Sequence, residues 1–229
     1  MACTLNFYGH FALGLEIDGL FVLVDPFFTG NPAATNSAAD FDQVDYILVT
    51  HGHGDHVGDT VELAKRTGAT VVANFEVCNW LQSQGVEKVH AQHIGGAHDH
   101  AFGNLKLTIA HHGSSMPDGS YGGNPAGLLI KTKAGEKLYV SGDTGLFYDM
   151  TLIGEVGLDL AVIPIGDNFT MGPDDALRAV KFLKPKTVVP AHFGTWPIID
   201  ADAESWAARV EKQTETKVAV MKAGDSLVV

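Results

Sequence analysis

The sequence predicts an α/β fold in which two β-sheets pack face to face with helices on the outside. Two observations lead there. Each half of the chain opens with a run of short β-rich segments and then alternates strand with helix. Polar side chains recur where strands end, at Asp25, His51 to His56, His112, Asp143 and His192, so ligands are expected to gather along one edge of the sheets. The 229 residues hold no Pro/Ser-rich or charge-run linker, which predicts a single domain over 1–229. With 45% hydrophobic and 18% charged residues, the chain can bury a sizeable core.

The elements follow in order. Thr4 to Tyr8, Leu13 to Ile17 and Phe21 to Val24 are β-rich runs, the last two joined by the hairpin signal Asp18-Gly19. Asp25-Pro26 closes the third, and Phe27 to Asp40 reads as a long functional or mobile loop. Tyr46 to Val49 is a buried strand followed by one helix from about Val57 to Arg66, ended by Gly68. Ala69 to Ala73, Glu76 to Gln84 and Lys88 to His93 read as strand, helix and strand. Leu105 to Ala110 alternates cleanly and runs into His111-His112-Gly113-Ser114. Ala126 to Thr132 and Lys137 to Val140 form a hairpin around Ala134-Gly135, and the second strand runs into Asp143. Leu158 to Ile165 is a strand, and Pro173 to Leu183 a helix with Pro first and Asp174 and Asp175 in its opening turn. Thr187 to Pro190 delivers His192, and a helix from about Ala203 to Lys212 with strands Lys217 to Val220 and Leu227 to Val229 completes the chain.

Thr50 to His56 is the densest chemical feature, with three imidazoles and a carboxylate in seven residues. In an extended loop His51 and His53 share a side, while Asp55 and His56 fall where the chain turns into a helix and are aimed at a second point. Candidates at strand ends therefore divide into His51, His53 and His112 for one metal and Asp55, His56 and His192 for another, with Asp143 able to bridge. Imidazole and carboxylate ligands without Cys suit a catalytic rather than a structural zinc site, and Mn2+ or Fe2+ are alternatives. His90, His93, His98 and His100 read as loop surface rather than a third metal site, because no strand-end geometry fixes them.

Composition narrows the partners. A formal charge of -12, without a Lys/Arg cluster to track phosphates, argues against nucleic acid and for a small-molecule substrate. Cys3 and Cys78 are too few for a disulfide framework, no apolar run spans a membrane, and the start lacks a signal-like segment, which together predict a soluble cytoplasmic protein. Association into a homo-oligomer stays open.

The chain resembles the metallo-β-lactamase superfamily through Thr50-His51-Gly52-His53-Gly54-Asp55-His56, the strand-end Asp25, and His112, Asp143 and His192 in that order. More narrowly it is similar to small metal-dependent hydrolases near the ascorbate-phosphate lactonase-like branch, through Tyr8-Gly9-His10, Tyr121 to Gly127 and Pro190 to Thr195. The resemblance implies a four-layer αββα sandwich with two metals at the edge between its sheets. It implies that Asp25 holds metal histidines by hydrogen bonds, against the alternative of an ordinary Asp-Pro turn. It also favours His112 over His111, because the family's histidine precedes small residues and Ser, as here Gly113 and Ser114. His10 either faces the cleft, to contact substrate or donate a proton, or is a plain hairpin-turn histidine.

The implied reaction is hydrolysis of a small ester, lactone, amide or phosphoester by a hydroxide shared between two metals, whose pKa falls to near ~7. Asp55 would orient the hydroxide and carry the proton, and Asp143 would set the metal separation. The rivals are a di-iron redox protein, which would favour Glu in place of His53 and an attached flavin domain, and a binding module that holds metal or a small ligand without turnover. Phe27, Phe28, Phe169, Met171 and Trp196 are candidates for an apolar pocket wall, although core packing is the ordinary role of each.

Overall fold

Alternation of side chains along each strand decides which of three cores it feeds. The architecture comes from a computed structural model that describes residues 3–229; Met1 and Ala2, part of the start read above, lie outside the described residues. The first sheet contains β1 (Thr4–Phe7), β2 (Leu13–Ile17), β3 (Leu20–Val24), β4 (Tyr46–Leu48), β5 (Thr70–Asn74) and β6 (Val89–Gln92). The second contains β7 (Ala97–His100), β8 (Gly103–Ile109), β9 (Ala126–Thr132), β10 (Lys137–Val140), β11 (Leu160–Pro164), β12 (Thr187–Ala191) and β13 (Lys217–Val218). The last strand, β14 (Ser226–Val228), returns to pair antiparallel with β1. The sheet orders are β14-β1-β2-β3-β4-β5-β6 and β13-β12-β11-β10-β9-β8-β7.

Both sheets are mixed in the same way. β1 to β3 and β7 to β10 pair antiparallel, whereas β3 to β6 and β10 to β13 pair parallel. Parallel neighbours need a crossover, usually a helix, and helices occupy most of these connections. They are α1 (Gly54–Val57), α2 (Thr60–Thr67), α3 (Phe75–Ser83), α4 (Met150–Gly154), α5 (Pro173–Leu183) and α6 (Ala203–Gln213).

Leu48, Val72, Leu138, Val140, Val162 and Val189 point between the sheets and meet in one buried cluster with Leu5, Leu13 and Leu15. Their neighbours face outward: Ile47, Val49, Val71 and Ala73 pack with Leu63, Val77 and Leu81 of α2 and α3. On the opposite side Tyr139, Ala161, Ile163 and Val188 pack with Leu177, Val180, Trp206 and Val210 of α5 and α6. Helix, sheet, sheet, helix is thus the layer order, as expected. Among the described residues no helix is long and apolar enough to cross a membrane.

Four local readings change. The single helix after the histidine motif is two, α1 and α2, broken at Gly58, whose φ of 43° and ψ of −124° suit glycine alone. A Cβ there would lie 2.4 Å from the Pro26 carbonyl oxygen, so the break lets the helix start pass beneath the Asp25-Pro26 turn. Asp55 and His56 consequently lie inside α1 rather than ahead of a helix. The end of the Phe27 to Asp40 loop tightens into a 3-10 turn at Ala38–Asp40, and α4 was not anticipated. Finally, Ala97–His100 is a strand, so His90, His98 and His100 stand on β6 and β7; of the four histidines read as loop surface, only His93 lies in a turn.

Gly58→Ala should therefore lower folding stability by ~2 kcal/mol, from the strained dihedral and the clash with Pro26. Urea unfolding checks this: a midpoint equal to that of the parent protein would remove the role given to the break.

Candidate metal centre

Asp25 is the lowest stone of the site. After β3 its backbone turns through a left-handed conformation, φ 45°, and its carboxylate is fully buried beneath the end of β4. A buried carboxylate is tolerated only with partners. Oδ1 accepts the Thr50 N–H at 2.8 Å, Oδ2 accepts the Thr50 hydroxyl at 2.6 Å, and His56 Nδ1 lies 2.7 Å from Oδ2. The Thr50 hydroxyl proton is thereby committed to Asp25, so its oxygen, 3.0 Å from His51 Nδ1, accepts from that ring. The lone pair of His51 is left on Nε2, and the same logic leaves Nε2 of His56 turned away from Asp25.

The free nitrogens converge. His51 Nε2 is 3.0 Å from His53 Nδ1, and His112 Nε2 is 3.3 Å from the same atom. These three donor atoms lie within 4.8 Å of one another. Burial lowers the pKa of His51 well below the usual imidazole range and lowers those of His53 and His112 too, so neutral rings present lone pairs. A second set, with atoms equally close, is His10, Asp55, His56 and His192.

Asp143, delivered by the end of β10, stands between them. Its Oδ2 is 3.0 Å from His192 Nε2, 3.3 Å from His56 Nε2 and 3.5 Å from His112 Nε2. Burial disfavours its charge, but His56 and His192 hold the carboxyl well below the usual range. Burial likewise opposes charge on His192, yet Asp143 pushes it up to about 9. Asp143 Oδ1, His56 Nε2 and both ring nitrogens of His192 are buried without an aligned hydrogen-bond partner. Unsatisfied buried donors and acceptors of this kind are costly, and a cation at each set would satisfy them. The donor chemistry, imidazole nitrogen and carboxylate oxygen, fits divalent transition metals.

Small residues and neighbouring polar groups fix the motif. A Cβ on Gly52 would lie 2.6 Å from Met116 Sδ and 3.1 Å from the Ser115 carbonyl oxygen, so a side chain there would force its neighbours to shift. The Gly52 N–H donates to Ser114 Oγ at 3.1 Å, and that hydroxyl donates to the Gly122 carbonyl at 2.9 Å. Asn74 at the end of β5 donates to the carbonyls of Gly122 and Asn124 while capping α3. The roles of Ser114 and Asn74 escaped sequence reasoning, although Asn74 ahead of a helical run is a recognisable cap signal.

His10 belongs to the site and not merely to a turn. Its Nδ1 lies 2.8 Å from the Thr195 hydroxyl, its Nε2 3.2 Å from Asp55 Oδ2, and its ring centroid 4.1 Å from that of His192. Burial lowers its pKa to about 4, leaving a neutral ring that donates Nε2–H to Asp55 and accepts from Thr195. Thr195 was not singled out from sequence. His111 points elsewhere and packs on Phe147 with centroids 5.0 Å apart. Of the apolar candidates, Phe27 and Trp196 flank His10, Phe28 and Met171 are built into the cores, and Phe169 is exposed. His53, Asp55 and His112, the partly exposed members, form the mouth.

A four-layer sandwich with two histidine and aspartate donor sets joined by one carboxylate at its edge defines a metalloprotein of the metallo-β-lactamase fold. Comparison with known proteins agrees. Residues 21–193 match the Beta-lactamase superfamily domain. A Bacillus cereus protein described as a UPF0173 metal-dependent hydrolase is 49% identical, over 97% of this chain and 98% of its own. Igni18, described as a metallo hydrolase from the hyperthermophilic archaeon Ignicoccus hospitalis, matches at TM-score 0.91 and 35% identity, over 100% of this chain and 99% of its own. CmlA, a diiron beta-hydroxylase from Streptomyces venezuelae, shares the fold alone, at TM-score 0.77 and 17% identity over 54% of its length. The chain belongs to the UPF0173 metal-dependent hydrolase family of the beta-lactamase superfamily.

Asp25→Ala should weaken metal binding by about 10–100-fold, since it frees Thr50 and His56 to turn; competition against a chromophoric chelator measures this, and an unchanged affinity would contradict the anchoring role. His112→Ala should cost the protein one metal equivalent while His111→Ala costs none, as elemental analysis of the dialysed proteins would reveal; the reverse result would exchange their assignments.

Proposed function

We propose that His51, His53 and His112 hold one divalent cation and Asp55, His56 and His192 another, zinc by preference and manganese or iron by supply, and that the protein hydrolyses a small ester, lactone, amide or phosphoester. The observation that carries this reading is Asp143, whose Oδ2 lies within 3.5 Å of nitrogens from both sets while its Oδ1 is buried without a partner. Cations bound there supply an acidified water and positive charge for the oxygen that gains electrons in the transition state.

The chain's own residues supply the rest. Asp143 spans the two sets and fixes their separation. Asp55 is the carboxylate nearest the mouth, with its side chain 28% exposed; burial opposes its charge, but His10 and His192 hold its carboxyl well below the usual range, so it stays ionised and would orient the attacking water. His10 is a positioning residue: braced by Thr195, it holds Asp55 Oδ2 in place. Phe27 and Trp196, 6.3 Å apart beside His10, offer an apolar wall to the substrate. A small molecule fits this mouth better than a nucleic acid, which a chain of net charge -12 would repel.

Asp143→Ala should lose metal and hydrolysis together. The assay is a panel of esters, lactones, amides and phosphodiesters offered to chelator-stripped protein reloaded with zinc, manganese or iron. Turnover with zinc or manganese supports the reading. Full activity of Asp143→Ala with both metals retained would overturn the bridging role. Iron uptake with no hydrolysis across the panel would favour redox chemistry instead, and metal uptake with no turnover of any kind a binding module.

A further inference from the structure

The two sheets each leave an end strand on the same side of the molecule, β6 in the first and β7 in the second. The chain passes between them through a turn over residues 93–96, pinned where the Gly95 N–H donates to the Leu107 carbonyl and the Leu107 N–H donates to the Gly96 carbonyl. His98 and His100 are two apart on β7 and so share one of its faces. His90 stands on β6, and the three rings meet: centroids are 4.2 Å apart for His90 and His98, 4.9 Å for His90 and His100, and 4.8 Å for His98 and His100.

We propose that His90, His98 and His100 form a further transition-metal site, separate from the main centre, that clips the end strand of one sheet to the end strand of the other. The ring of His100 is held in place and its tautomer fixed by its neighbours. Its ring stacks on Phe102 at 5.2 Å and meets the edge of Tyr46 at 5.8 Å. The buried Gln92 donates its amide N–H to the Leu105 carbonyl, so its Oε1, 2.9 Å from His100 Nε2, accepts from that nitrogen. The lone pair of a neutral His100 is therefore on Nδ1, the same arrangement of an outer hydrogen bond fixing the ligating nitrogen that metal-binding histidines generally use. Burial and the neighbouring rings keep His100 and His90 on the neutral side of the usual imidazole range.

The donor set is imidazole only. Asp99 alternates to the opposite face of β7, where it accepts from Asn104 Nδ2 at 2.6 Å. Three imidazoles suit zinc, copper or nickel and leave outer coordination positions to water. The ring nitrogens do not form a preformed convergent set of the kind made by His51, His53 and His112. Closure falls to His98, which is exposed and, among the described residues, is met by the rings of His90 and His100, so its side chain can turn to complete the triad. A preference for the folded form follows, because the ligands come from strands that are brought together only on folding.

The test is equilibrium dialysis of the full chain against Zn2+, counting equivalents bound. The parent protein should bind one equivalent more than H98Q/H100Q, with about tenfold or weaker affinity at this site in H90Q and no change in H93Q, whose ring lies in the turn. Excess Zn2+ added after the main centre is full should raise the Tm of the parent but not of H98Q/H100Q. Equal stoichiometry in the parent and in H98Q/H100Q would overturn the proposal, as would an equal loss in H93Q. Because His98 is exposed, H98Q alone serves as the variant least able to disturb folding, and it too should lose the added equivalent.

Discussion

The buried carboxylate of Asp25 is the constraint on which the metal centre depends. It sits where β3 ends, and through Thr50 and His56 it ties three separate pieces of chain: the end of the β3 strand, the loop after β4 and the short helix α1. A carboxylate in such a place is tolerated because of the donors around it, and the same hydrogen bonds fix which nitrogen of His51 and of His56 is turned toward the other donors. Tautomer and direction are therefore set one layer below the donors themselves. The glycine at position 58 serves the same end, since a side chain there would collide with Pro26 and push α1 away from Asp25.

Sheet topology brings the remaining donors to that point. Parallel strands β3, β4, β10, β11 and β12 run the same way within their sheets, and their ends carry Asp25, the His51 to His56 loop, Asp143 and the loop after β12 with His192. The apolar cluster between the sheets holds Val24, Leu48, Val140 and Ala191 just before those ends, so packing of the core fixes the spacing of the donors. The molecule spends buried, unpartnered atoms at this edge, on Asp143, His56 and His192, and a cation is the group whose charge and size answer all of them.

How much of this was legible in the sequence depended on range. The stretch from Thr50 to His56 announced itself because its donors are contiguous; His112, Asp143 and His192 became candidates by standing at predicted strand ends, Asp143 and His192 gained weight only beside the histidine motif, and the family resemblance favoured His112 over His111. The structure gathers all seven residues at one place, with Asp25 beneath them and His10 beside them. The break at Gly58 was not legible, because its cause is the Pro26 carbonyl, some thirty positions away in the chain. Neither was β7: Ala97, His98, Asp99 and His100 carry no apolar alternation, and only pairing with Gly103 to Lys106 makes them a strand. His111 and His112 are adjacent residues of one type, and the choice between them rests on Phe147 receiving the His111 ring. Ser114 and Thr195 are common residues whose roles arise from a single contact each across the fold.

The central claim is that one carboxylate, Asp143, joins two cation sites. Anomalous diffraction from crystals of the zinc-loaded protein, collected on either side of the zinc edge, tests it most directly. Two peaks are predicted at this edge of the sandwich, one among His51, His53 and His112 and one among Asp55, His56 and His192, with the Asp143 carboxylate between them. A single peak, or two peaks with Asp143 touching neither, would contradict it.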